Sequence, residues 1–85
     1  MKHWYMLTVV GADQPGIAAA LTEALYRGGS NLGEASMVRL GGNFTIMLMV
    51  QNAAGSAPLL AMVEGAIRKF DLHVHIDEIK EQLHQ

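Results

Sequence analysis

Cysteine is absent from this 85-residue chain, proline occurs twice, and aromatic residues make up 6% of it. Without cysteine the chain can form neither a disulfide nor a thiolate metal site. Six Lys and Arg residues against eight Asp and Glu residues give a formal net charge of −2, which offers no general attraction for nucleic acid or anionic lipid. We therefore expect no direct contact with nucleic acid and none with a membrane.

Long hydrophobic runs are also absent. The longest purely apolar stretches have only four or five residues, whereas a membrane-spanning helix needs about 20. The opening Met-Lys-His-Trp-Tyr lacks the apolar segment of a signal peptide. These features favour a cytoplasmic location.

Nothing in the sequence divides the chain, so residues 1–85 are expected to form a single domain with a core at about 4–79. A domain of this size buries only about 60–65% of its unfolded surface, which leaves a narrow margin of stability. Since no disulfide can supplement that core, self-association is the usual remedy, and we expect a homodimer.

The spacing of apolar residues predicts the element order βαββαβ. The predicted elements are strands at 4–10, 32–40, 44–51 and about 72–79, a first helix from Pro15 to Gly28-Gly29, a hairpin turn at Gly41-Gly42, and a second helix after Pro58. Pro15 is expected in the first helical turn, with Gln14 extended as the cap. Two right-handed crossovers then place both helices on one face of a four-stranded antiparallel sheet, with the first and third strands central. This is an α+β, ferredoxin-like sandwich.

Alternation along the strands divides the sheet into two faces. The residues expected beneath the helices are Leu7, Val9, Phe44, Ile46, Leu48, Leu72, Val74 and Ile76, with Ile79 as a further candidate. The residues expected on the opposite face are Trp4, Met6, Met47 and Met49. Such a patch on so small a protein predicts a contact surface.

The junction of the first strand and helix carries the most informative motif. Residues 9–17 read Val-Val-Gly-Ala-Asp-Gln-Pro-Gly-Ile, and residues 29–32 read Gly-Ser-Asn-Leu. This pair resembles the motif pair of ACT domains, whose version of the loop is Asp-Arg-Pro-Gly-Ile and which often have Asn-Ile at the second motif. The resemblance covers about residues 4–79 and includes single-domain members and the amino-terminal half of a transcriptional repressor of the family.

That resemblance implies a non-catalytic regulatory module that senses an amino acid. In the family, the ligand lies between this loop on one subunit and the start of the second strand on its neighbour. The candidate ligand-binding residues are accordingly Ala12, Asp13, Gln14, Pro15, Gly16, Ile17, Asn31 and Leu32. No output domain accompanies the motif, so the regulated target is expected to be another regulatory protein or an enzyme.

The chemistry of the loop is compatible with that expectation. The carboxylate of an amino acid prefers unpaired N–H groups at a helix N-terminus, and Gly16 would let it approach the backbone. The ammonium group of the amino acid needs oxygen acceptors, which Asp13, Gln14 and Asn31 could supply. The same residues allow a purely structural interpretation, in which Asp13 and Pro15 cap the helix and Asn31 is a turn residue. The alternative function is then a structural or protein-partner-binding module with no small ligand.

The histidines suggest a third and weaker hypothesis, the binding of a transition metal. His73 and His75 lie two apart on the last strand and point the same way, with Asp77 next in the row and His3 or His84 as further candidates. Two ligands do not make a metal site, and isolated surface histidines are more common. Because no Ser-His-Asp pattern lies in a plausible pocket, we expect no enzyme. The central strands also lack the exposed aromatic pair of an RNA-binding sheet.

Overall fold

The computed structural model describes residues 3–79, which fold in the order βαββαβ. The elements are β1 His3–Ala12, α1 Ile17–Arg27, β2 Asn31–Leu40, β3 Asn43–Asn52, α2 Ser56–Phe70 and β4 His73–Ile79. The four strands form one antiparallel sheet in the order β2-β3-β1-β4. The predicted ferredoxin-like topology is therefore confirmed, including the central position of β1 and β3.

A single apolar core lies between the sheet and the two helices. Leu7 of β1, Leu25 of α1 and Leu59 of α2 have no exposed surface. The alternation predicted for β3 is present in full, since Phe44 and every second residue after it to Val50 is buried. Val74 and Ile76 of β4 are only partly buried because their strand is at the edge of the sheet.

The opposite, helix-free face is more closely packed than the sequence indicates. The side chain of Trp4 extends from β1 towards the bulged part of β2, where a Cβ added at Gly33 would lie 2.9 Å from its ring carbon Cζ3. Trp4, Met6 and Met49 are consequently half-buried, and Met47 is exposed.

Ile79 is a correction to the expected core. It pairs with Trp4 across β1 and β4, so it lies on the helix-free face. The reason is parity: Ile79 is an odd number of residues from Ile76, whereas side chains on one face of a strand are separated by even numbers.

Strand β2 is exposed along its whole length. All ten residues are exposed, and β2 is the edge strand beyond β3. Gly41 and Gly42 both have positive φ, 58° and 80°, and form the predicted two-residue hairpin turn into β3. The free edge of β2 offers unpaired backbone groups to another strand.

Candidate ligand-binding site

A cleft of about 420 Å³ lies between the β1–α1 loop and the end of β2. Its lining residues are Asp13, Gln14, Pro15, Gly16, Ile17, Ala18, Ala19, Met37, Arg39 and Phe44. Five of the eight residues predicted to bind a ligand, those at 13–17, therefore line one cleft. Ala12 is the last residue of β1 and leads directly into the loop.

The start of α1 differs from the predicted one. The helix begins at Ile17, two residues after Pro15, and its cap is Gly16 in the left-handed conformation with φ 86°. The first helical hydrogen bond runs from the N–H of Ala20 to the carbonyl of Gly16, at 2.9 Å. The N–H groups of residues 17–19 precede that bond and have no partner within the helix.

No side chain compensates for these donors in the described part of the chain. The cap makes no side-chain hydrogen bond, and the first turn contains no acidic residue. The expectation that Asp13, Gln14 and Pro15 cap this helix is wrong, because the left-handed Gly16 separates them from its first turn. The positive end of α1 is left open towards the cleft.

Asp13 is held by the hairpin between β2 and β3. Its carboxylate oxygen Oδ2 accepts a hydrogen bond from Nε of Arg39 at 2.9 Å, and its backbone N–H donates to the carbonyl of Gly42, also at 2.9 Å. The ion pair is solvent-accessible, with the Arg39 side chain 61% exposed, so its contribution to stability is small. Its main effect is to fix a carboxylate and a guanidinium beside the open end of α1.

Gln14 connects the loop to the second helix. Its Nε2 donates to the carbonyl of Phe70, the last residue of α2, at 3.1 Å. That carbonyl has no partner within its own helix, since it lies in the last turn. The side-chain amide of Gln14 therefore has a structural role in addition to its place in the cleft lining.

Asn31 and Leu32 are not in this cleft. They begin β2, whereas Arg39 is near its end, and eight residues of extended strand span roughly 25 Å. Asn31 Nδ2 lies 3.3 Å from Oε1 of Gln51 on β3. The alternative interpretation of Asn31 as a turn residue with an unusual backbone angle is wrong, since it belongs to the strand and its φ is not positive.

The histidine row is present but does not form a metal centre in the described residues. His73, His75 and Asp77 share the helix-free face, and Nε2 of His75 lies 3.1 Å from Oδ1 of Asp77. His3 lies on the other face, where Nδ1 is 3.2 Å from Oε2 of Glu78. Residues 3–79 contain no group of three or more His, Asp or Glu side chains placed to hold a metal ion. His84 lies outside the described residues.

Comparison with known proteins was consistent with the fold and the loop motif. The family model for the ACT domain matches residues 3–77. Over 66 residues, 27% are identical to the glycine cleavage system transcriptional repressor of Escherichia coli (strain K12), an alignment that covers 78% of this chain and 33% of the repressor. The chain thus spans about a third of the length of the curated relatives it matches.

Two solved structures illustrate the range of proteins that share the fold. An ACT domain protein from Streptococcus pneumoniae superposes with a TM-score of 0.74 at 24% identity, covering 89% of each chain. A formyltetrahydrofolate deformylase from Burkholderia mallei superposes with a TM-score of 0.76 at 20% identity, covering 89% of this chain and 28% of the deformylase. At these identities the superpositions show the fold alone. In residues 3–79, neither helix is sufficiently long and apolar to cross a membrane.

Proposed function

This chain belongs to the ACT domain family, and from that premise we propose that it is a non-catalytic regulatory module that binds an amino acid between two copies of itself. The family is one of regulatory modules, and the matched repressor is a regulator by its name. The observation that carries the amino-acid part is the cleft, whose lining includes both the uncapped N-terminus of α1 and Asp13, the carboxylate of which is held by Arg39.

Both charged groups of an amino acid find a partner there. The α-carboxylate would accept hydrogen bonds from the free N–H groups of residues 17–19, where the helix dipole adds a favourable interaction. The α-ammonium would interact with the carboxylate of Asp13. A ligand of about five to ten heavy atoms should bind no more tightly than roughly micromolar, which suits a metabolite sensor.

A symmetric dimer would complete the site with the two predicted residues that are missing from it. If β2 pairs antiparallel with the β2 of a second copy along its whole length, Asn31 of one chain lies opposite Leu40 of the other. Asn31 and Leu32 of one chain would then approach the cleft of the other. The fully exposed edge of β2 supports this arrangement.

The experiment that tests this proposal is a thermal-shift screen of the protein against the twenty amino acids. A ligand that binds only the folded state at a hundredfold excess over its Kd adds about 2.7 kcal/mol of stability. For a domain of this size, such a gain raises the Tm by roughly 10–20 °C. A clear rise with at least one amino acid is expected; no rise with any of them would contradict amino-acid binding.

Gly16→Val is expected to weaken binding of the amino acid found in that screen by at least about tenfold. Valine cannot adopt a φ of 86° without strain, so the loop must shift away from the helix N-terminus, and its side chain would extend into the space before α1. Titration calorimetry measures the loss, and Gly65→Val on α2, where an added Cβ meets nothing within 4 Å, is a surface control. Unchanged affinity in Gly16→Val would contradict the placement of the ligand.

The second candidate function is a partner-binding module with no small ligand. It is favoured by the same exposed strand β2, whose edge could accept a strand from a different protein as readily as from a second copy. A negative screen together with retained self-association would favour it. A single domain over residues 1–85, a cytoplasmic location, and a target that is another regulatory protein or an enzyme stay predictions.

A further inference from the structure

We propose that the cleft selects an amino acid with a second carboxylate, aspartate or glutamate, and that Arg39 binds the side-chain carboxylate. This inference rests on the proposed function and adds the class of ligand. It starts from the composition of the cleft, where Arg39 and Asp13 are the only charged lining residues among those at 3–79. Apart from Gln14, the other lining side chains are apolar or absent.

The guanidinium of Arg39 has hydrogen-bond donors that its contact with Asp13 does not use. Its Nε bonds to Asp13, and within the described residues neither terminal amino group of its guanidinium makes a hydrogen bond. Those two groups carry four N–H donors in a plane that matches a carboxylate, which they can bind in bidentate fashion. A single guanidinium can therefore keep its contact with Asp13 and still accept an anionic ligand group.

Asp13 has an oxygen that can accept a hydrogen bond from the ligand. Oδ2 is occupied by Arg39, whereas among residues 3–79 no hydrogen bond reaches Oδ1. The backbone bond from Asp13 to Gly42 fixes this carboxylate relative to the hairpin that also carries Arg39. Asp13 can therefore hold the guanidinium in place and offer its other oxygen to the ligand's ammonium.

The charges of the cleft then match those of an acidic amino acid. Such a ligand has two carboxylates and one ammonium, and the cleft offers two positive partners, the α1 N-terminus and Arg39, with one negative partner, Asp13. A neutral amino acid would leave the terminal donors of Arg39 without an anion. The side-chain ammonium of lysine would be repelled by Arg39. Met37 and Phe44 can pack against the methylene groups of aspartate or glutamate but cannot hydrogen-bond to an amide.

The test compares each acid with its isosteric amide by titration calorimetry on the full chain. Aspartate or glutamate is expected to bind at least about tenfold more tightly than asparagine or glutamine, since hydrogen bonds to charged groups are stronger than those between neutral groups. Arg39→Gln should abolish this preference. The matched control is Arg68→Gln, which removes the same charge from an exposed i,i+4 pair with Glu64 on α2 and should leave the preference intact.

The possible outcomes distinguish a failure of this inference from a failure of the proposed function. Preference for the acid that is lost in Arg39→Gln and kept in Arg68→Gln supports the inference. Tighter binding of a neutral amino acid, or an acid preference that survives in Arg39→Gln, overturns the inference and leaves the proposed function standing. Binding of none of the twenty amino acids overturns both. Circular dichroism of Arg39→Gln confirms that the variant is folded, as expected for an exposed side chain.

Discussion

Leu25→Ala is expected to lower the free energy of unfolding by about 3 kcal/mol. Leu25 has no exposed surface and belongs to the single apolar core. Removal of a buried leucine side chain costs about 2.7–5.0 kcal/mol, because its transfer free energy is lost and a cavity remains. A small domain has only about 5–10 kcal/mol in total, so a large part of its stability should disappear.

Leu60→Ala provides the matched control for this prediction. The residue type is the same and the position is also helical, but the Leu60 side chain on α2 is 45% exposed. Its truncation should cost no more than about 1 kcal/mol. Urea unfolding at one fixed protein concentration measures both values, since dimerisation makes stability depend on concentration. Equal losses in the two variants would contradict the location of the core.

The double variant Val38→Lys, Leu40→Lys is expected to raise the Kd of the homodimer by at least about a hundredfold. Both side chains lie on β2 and are 47% and 75% exposed in the single chain. If β2 pairs with its twin in the register that places Asn31 opposite Leu40, the variant replaces apolar contacts by two lysines at each end of the paired strands, and each apolar side chain contributes about 1.5–3 kcal/mol on burial. Lysine on an edge strand is also a means by which proteins prevent edge pairing.

Sedimentation velocity over a range of concentrations measures that change. Tyr26→Lys is the control, because Tyr26 is an exposed residue with a large apolar side chain on α1 and is not part of the edge strand β2. Dissociation of the double variant with retained circular dichroism, and no change in Tyr26→Lys, is the expected result. Continued association of the double variant would show that the dimer uses another surface.

The fold could be predicted because apolar periodicity and burial coincide in most strands. In β3, every second residue from Phe44 to Val50 is apolar and buried in the core, although Met47 and Met49 on the other face are apolar as well. Strand β2 has no burial pattern, and the Gly41-Gly42 turn was the signal that located it. The start of α1 was misplaced by two residues because no local pattern reveals that Gly16, rather than Gln14, takes the cap position.

The sequence motif identifies only part of the candidate site. Residues 13–17 are contiguous, so a motif can identify them, whereas Arg39 is 26 residues from Asp13 and meets it only through the pairing of β1 and β2 with β3. The strand register is the signal that could have identified Arg39. Asn43 pairs with both Ala12 and Leu40, and this brings their neighbours Asp13 and Arg39 close together. Asn31 and Leu32 lie too far from the cleft of their own chain to line it.

Subunit complementation tests most directly whether the binding site is shared between two chains. Gly16→Val damages the loop and Asn31→Ala damages the strand start, so at a ligand concentration near the Kd of the unsubstituted protein neither homodimer should bind much of the amino acid found in the thermal-shift screen. When the two variants are refolded together in equal amounts, half of the dimers are mixed, and each mixed dimer has one intact loop facing one intact Asn31. Binding is expected to return to about a quarter of the sites. A mixture that binds no more ligand than the separate variants would contradict a site shared between two chains.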